Sequence, residues 1–147
     1  MDDASLASRD LIEVSRRPLE AGSLAERVAD PGAGAVVVFL GTVRDHSPGR
    51  ERVTHLEYEA YEGVVEEKIA ELVEEARRSW PLRRVAVVHR VGDLGVGEAS
   101  VGVAVSSEHR PEAFEAARYL IDQLKARAPI WKKEHWAGGA EWVKEGR

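Results

Sequence analysis

The chain has 147 residues, 44% hydrophobic and 32% charged, with a formal net charge of −5; that length suits one ordinary domain with a real core. It has no cysteine, which excludes a disulfide framework, a thiolate metal site and a cysteine nucleophile, and its negative charge argues against broad nucleic-acid binding. No apolar run approaches the ~20 residues of a membrane span, and Met1 to Ser8 lacks the apolar core of a secretory signal, so a cytoplasmic protein without a membrane partner is expected.

Residues 1–10 are expected to form a frayed terminus and residues 11–147 a single domain. Leu11 to Val14 suits a short strand. Ser23-Leu24-Ala25-Glu26 reads as a capping box opening a short helix that ends near Ala29, before the Pro31-Gly32 break. Ala35 to Val43 is a Val-rich apolar run, the pattern of a strand buried on both faces. Arg44 to Arg52 is polar with a Pro-Gly turn signal and predicts a mobile loop. Val53 to Tyr61 alternates, with Leu56, Tyr58 and Ala60 on one face and His55, Glu57 and Glu59 on the other. That predicts a half-solvated strand, antiparallel to the one before it.

Glu62 to Ser79 carries the apolar stripe of a helix in Val65, Ile69, Leu72, Val73 and Ala76, and Pro81 stops it. Arg84 to Val91 predicts a strand, Gly92 to Gly97 a turn, and Val101, Val103 and Val105 a further strand. Pro111 to Arg127 predicts a second long helix with Phe114, Ala117, Ile121 and Leu124 inward. The tail from Ile130 to Val143 reads as a hairpin around Ala137-Gly138-Gly139. Paired strands separated by helices argue for an α+β fold with a largely antiparallel sheet, two long helices and a C-terminal hairpin.

Three segments carry groups that could do chemistry. Ser106 to Pro111 joins a strand end to a helix start, where unpaired N–H groups favour an anion beside His109 and Arg110. Capping by Ser107, with Arg110 merely solvated, accounts for the same residues. Lys125 and Arg127 complement the negative end of a helix dipole. Lys132 and Lys133 lie past the Pro129 break, and a helix end beside an extended segment could bring Lys125 and Lys132 together. Clustered cations make a neutral amine more available for acid–base work. Phe39 to Arg44 closes the buried strand, with Gly41 allowing close approach and Arg44 offering a planar fork for phosphate; Arg44 also simply marks where a strand meets solvent. His46, His55, His89 and His135 show no metal-ligand spacing, so no metal or other cofactor is expected. Gly92, Gly95 and Gly97 form no dinucleotide fingerprint.

These segments, taken in order, resemble the molybdopterin synthase large-subunit family, from about Leu11 to Val143. The distinctive pieces are Phe39-Leu40-Gly41-Thr42-Val43-Arg44, Leu56-Glu57-Tyr58-Glu59-Ala60-Tyr61, His89-Arg90-Val91-Gly92, Ser107-Glu108-His109-Arg110, Ala113-Phe114-Glu115-Ala116 and Leu124 to Glu134. The resemblance implies an α/β-hammerhead fold and a dimer of large subunits within a heterotetramer. Each large subunit would carry a small ubiquitin-like sulfur carrier whose C-terminal Gly-Gly thiocarboxylate enters a pocket. The implied reaction is sulfur transfer onto cyclic pyranopterin monophosphate, giving the dithiolene molybdopterin. Position by position, Lys125 and Lys132 match the catalytic lysines. Thr42, Val43, Arg44, His109, Arg110, Lys133 and Glu134 match substrate-binding positions, with Arg44, His109 and Arg110 holding the phosphate, in part across the dimer. A chain without Cys cannot hold a persulfide, so a sulfur-inserting enzyme of the kind the resemblance implies would import sulfur on a partner, and a basic cluster in an acidic chain suits anionic ligands. The reading from another class is a binding module in which Lys125, Arg127, Trp131, Lys132 and Trp136 hold a phosphate-bearing or single-stranded ligand.

Overall fold

The computed structural model describes residues 9–61, 63–136 and 138–144, with Lys144 described by its backbone alone. In chain order the elements are β1 (Leu11–Ser15), α1 (Ala21–Val28), β2 (Ala35–Thr42), β3 (Val53–Ala60), α2 (Val64–Ser79) and β4 (Leu82–Arg90). They continue with β5 (Gly92–Gly95), β6 (Ala99–Ser107), α3 (Arg110–Arg127), β7 (Ile130–Trp136) and β8 (Gly139–Lys144). The α+β class and the C-terminal hairpin match the sequence reading. Within the hairpin Trp136 pairs with Gly139; Ala137 lies outside the described residues, as does Glu62 at the expected start of the first long helix.

The strands form two four-stranded sheets rather than one. The first runs β1-β4-β6-β2 and the second β5-β3-β7-β8. All pairs are antiparallel except β1 with β4, which run parallel with Leu11 opposite Ala86 and Ser15 opposite Arg90. Helix α1 covers one face of the first sheet through Leu24 and Val28, against Ala86, Val88 and Ala104. Helices α2 and α3 cover the other, in a larger core that also takes Leu56, Leu94 and Ile130 from the second sheet. Apolar residues on both faces of β4 and β6 follow from this sandwiching.

Several expectations are corrected. Strand β2 does not pair with β3: among the described residues it sits at the edge of the first sheet, bonded only to β6. Helices contact it on both faces, yet it is not the strand buried on both faces that was expected: none of its residues is fully buried, and Val36 and Phe39 are exposed. The chain then leaves the sheet, because Val43 gives its N–H to the Glu98 carbonyl and accepts from Gly97, and β3 starts in the second sheet. The stretch read as a turn from Gly92 holds strand β5, paired with β3 before the turn begins. Phe114, expected inward, is 62% exposed. The buried line of α3 is Ala113, Ala116, Ala117, Leu120, Ile121 and Leu124, whose small members let the helix lie close to the sheet. Helix α1 begins at Ala21, ahead of the proposed capping box, and Glu20 makes no side-chain cap. Of the terminus expected to fray, residues 1–8 lie outside the described residues, whereas Asp10 is tied to the fold. It accepts from Arg77 Nη2 at 2.6 Å, Arg77 Nε at 3.0 Å and the Val85 N–H at 3.0 Å.

Candidate active site

A cavity of about 280 Å³ opens where the two sheets meet the end of α3. Gly41 and Thr42 come from the end of β2, Arg44, His46 and Ser47 from the following loop, and Ser100 from β6. Val53, Leu56 and Tyr58 of β3 form one wall, and Lys125 of α3 with Lys132 and Glu134 of β7 form another. A register shift between Gly41 and Thr42 marks a bulge at the rim, a device that re-aims side chains at the end of a strand. Gly41 also needs its small size: a Cβ there would meet Val101 Cγ1 at 2.7 Å.

Strand alternation decides what β7 contributes. Ile130, Lys132 and Glu134 are buried, while Trp131 points outward and is exposed. Lys132 is 6% exposed and Glu134 2%. Cross-strand, Lys132 lies opposite Tyr58 and Glu134 opposite Leu56. Tyr58 is buried and packs edge-on to the buried His89 ring at 5.2 Å. The half-buried Lys125 enters from the last turn of α3, and the two lysines of the sequence reading therefore share one cavity.

The last turn of α3 is fixed from outside the cavity. Arg127 grips both oxygens of Glu75 on α2, at 2.9 and 3.0 Å, and the Tyr119 hydroxyl donates to Glu75 at 2.7 Å. The Arg127 hydrogen bonds, then that of Tyr119, hold the Glu75 carboxyl down to about 2 from an ordinary 4.5. The same contact with Glu75, joined by burial, raises the Tyr119 hydroxyl. Arg127, read from sequence as part of a basic cluster, is thus a brace between helices.

The loop expected to be mobile is tied down. Ser47 and Arg50 exchange both backbone hydrogen bonds at 2.9 Å around Pro48 and Gly49. Gly49 has φ +78°, and Pro followed by a positive-φ Gly is the signature of a type II turn. Ser47 Oγ donates to Glu134 at 3.2 Å and Arg50 Nη1 to the same carboxylate oxygen at 2.6 Å. Arg50 Nη2 also pairs with Glu141 of β8, and the guanidinium lies 4.2 Å above the Trp136 ring.

The remaining sequence candidates lie elsewhere. Val43 faces the core, 3% exposed. Lys133 sits on the outer face of the second sheet with its ammonium 5.6 Å from the Trp142 ring. His109 and Arg110 are exposed at the start of α3, His109 within 3.8 Å of Glu108. They lie near the beginning of β2, because the Gly34 N–H bonds to the Ser107 carbonyl. The cavity lies at the strand's other end, about 23 Å away along seven strand steps. Tyr58, Ser47, Ser100 and Arg50 were not picked out from sequence. The alternation of β3 placed Tyr58 on an inward face, and Ser47-Pro48-Gly49-Arg50 held the turn signal, but their convergence on β7 depends on sheet pairing.

The fold is thus a mixed α+β scaffold that brings two lysines into one small cavity. Comparison with known proteins narrows the reading. The family model described as MoaE protein matches residues 14–127. The molybdopterin synthase catalytic subunit of Halalkalibacterium halodurans is 42% identical over 130 residues, covering 88% of this chain and 83% of that one. The crystal structure of molybdopterin synthase from Staphylococcus aureus superposes with a TM-score of 0.84 at 38% identity, covering 90% of this chain and 96% of the other. A complex of subunits 1 and 2 of the molybdopterin-converting factor from Helicobacter pylori shares the fold, with a TM-score of 0.72 at 23% identity over 93% and 91% of the chains. The chain belongs to the MoaE family, whose named members are molybdopterin synthase catalytic subunits. Among the described residues, no helix is long and apolar enough to cross a membrane.

Proposed function

We propose that this chain transfers sulfur from the C-terminal Gly-Gly thiocarboxylate of a small ubiquitin-like carrier to cyclic pyranopterin monophosphate, forming the molybdopterin dithiolene in the cytoplasm. The observation that carries the reading is the cavity shared by Lys125 and Lys132. Lys125, on the helix end, meets the carrier's terminus, stabilising the thiocarboxylate or moving protons during its attack. Lys132, at the cavity wall, neutralises charge developing on the pterin. Thr42 and Arg44 line the rim and contact substrate, while Val43 supports them from the core and Glu134 holds the loop. Lys133, on the outer face of the sheet, stands apart from this cavity. The two-subunit complex solved for the Helicobacter pylori protein supports a two-component enzyme.

His109 and Arg110 belong to this reading through a second copy. Among the described residues, strand β2 has an unpaired edge with exposed Val36 and Phe39. Antiparallel pairing of two such edges sets the start of one β2 beside the end of the other. His109 and Arg110 of each copy then approach Arg44 of its partner and hold the substrate phosphate. A homodimer of large subunits, each carrying one small subunit, is the assembly this requires.

The test is reconstitution with thiocarboxylated carrier and cyclic pyranopterin monophosphate, following the dithiolene through its oxidised fluorescent derivative. Product that disappears with Lys125→Ala supports the reading. Absence of product, with a carrier that serves another large subunit, overturns it and leaves a binding role.

A further inference from the structure

Lys132 is buried, it faces the cavity, and among the described residues no hydrogen bond or ion pair engages its side chain. An ammonium withdrawn from water without a carboxylate is costly. Yet a carboxylate is close at hand. Glu134 lies two residues along the same strand and on the same buried face, about 6.6 Å away along the backbone and within reach of a lysine side chain. Glu134 instead accepts at Oε1 from Arg50 and Ser47.

Arg50 also resolves a second conflict. Glu134 and Glu141 are direct cross-strand partners on β7 and β8, an arrangement in which like charges repel. The Arg50 guanidinium bridges both, with its side chain only 13% exposed and stacked on Trp136. Its planar fork suits two carboxylates at once, and the Ser47–Arg50 turn delivers it there.

We propose that Arg50 is a positioning residue that sequesters Glu134 and so keeps the Lys132 amine unpaired and available to substrate. The inference deepens the function proposed above and rests on it for its catalytic meaning, though not for its physical test. Removing Arg50 frees Glu134 to pair with Lys132. The consequence is a less reactive amine, beyond any general loosening of the loop. Removing Glu134 as well restores the amine, which a purely structural role for Arg50 does not predict.

The experiment is competitive acylation of the full-length protein with an amine-reactive ester at fixed pH, with the Lys132 labelling rate read by peptide mass spectrometry. Lys133, on the outer face, serves as the internal reference. Arg50→Met is expected to slow Lys132 labelling about fivefold or more. The double variant Arg50→Met/Glu134→Gln returns the rate to near that of the parent, and Glu141→Gln leaves it unchanged. Arg50→Lys, which keeps a cation over Glu134, covers the case in which Arg50→Met fails to fold, and is expected to label like the parent. An unchanged rate in folded Arg50→Met, a rate that stays low in the double variant, or slowed labelling in Arg50→Lys overturns the proposal. Labelling that follows the proposal in a protein that makes no dithiolene sinks the sulfur-transfer reading instead, so the two failures are distinguishable.

Discussion

The two sheets share a core but divide the work. In the first, β4 and β6 are Val-rich and buried between helices, and polar groups near its ends, such as Asp10 and Arg77, are paired with each other. In the second, β7 buries a lysine and a glutamate side by side and holds the glutamate with a residue from a loop. In the first sheet Asp10 and Arg77 answer each other locally, whereas at the cavity Lys132 faces open space and its neighbour Glu134 is restrained.

Substitutions sharpen this contrast. The largest expected effect is on turnover: Lys132→Ala or Lys125→Ala should lower kcat by roughly 10²–10⁴-fold, with thermal melting little changed, as assayed by dithiolene formation and calorimetry. Retained activity in either variant would erase the division of labour. In the first sheet's core the effect should be on stability instead. Leu120→Ala, at a site 1% exposed, should cost about 2–5 kcal/mol in urea unfolding while leaving the folded fraction active. Asp10→Ala should cost about 3 kcal/mol, because it strands Arg77 and the Val85 N–H; a value near zero would show that β1 is held by its backbone pairing alone.

The smallest effect should be a pH dependence. Glu75 is ionised in the fold down to about pH 2, whereas the unfolded chain protonates it near its ordinary 4.5. Its contribution to stability is therefore complete above about pH 4.5 and fades as pH falls toward 2. Glu75→Gln should flatten part of the acid-side decline of Tm across that window and leave the neutral-pH profile's shape unchanged. A parallel acid decline in parent and variant would remove Glu75 from the account.

Local signals were legible and pairing was not. The stripe in α2, the alternation of β3 and the hairpin turn of β7 and β8 could be read because period and turn chemistry act over a few residues. The mate of β2 could not, since an apolar run records burial and not which neighbour supplies it. Phe114 was misplaced because alanines at 113, 116 and 117 carry a weaker hydrophobic signal than one phenylalanine, although they make the contact. At the site, Lys125 and Lys132 were legible through the family resemblance and their flanking helix and Pro break. Arg50 was not, because its meaning lies in two carboxylates 84 and 91 positions further along the chain.

The tie at Asp10 bears on how the chain comes into being. Its backbone partner, Val85, lies 75 residues later, and among the described residues β1 pairs with β4 alone. During synthesis at about 5–20 residues per second, the first strand therefore waits several seconds, at the least, before its mate has left the ribosome. For that interval it is an exposed strand without a sheet, and the segments made in between must leave its place open.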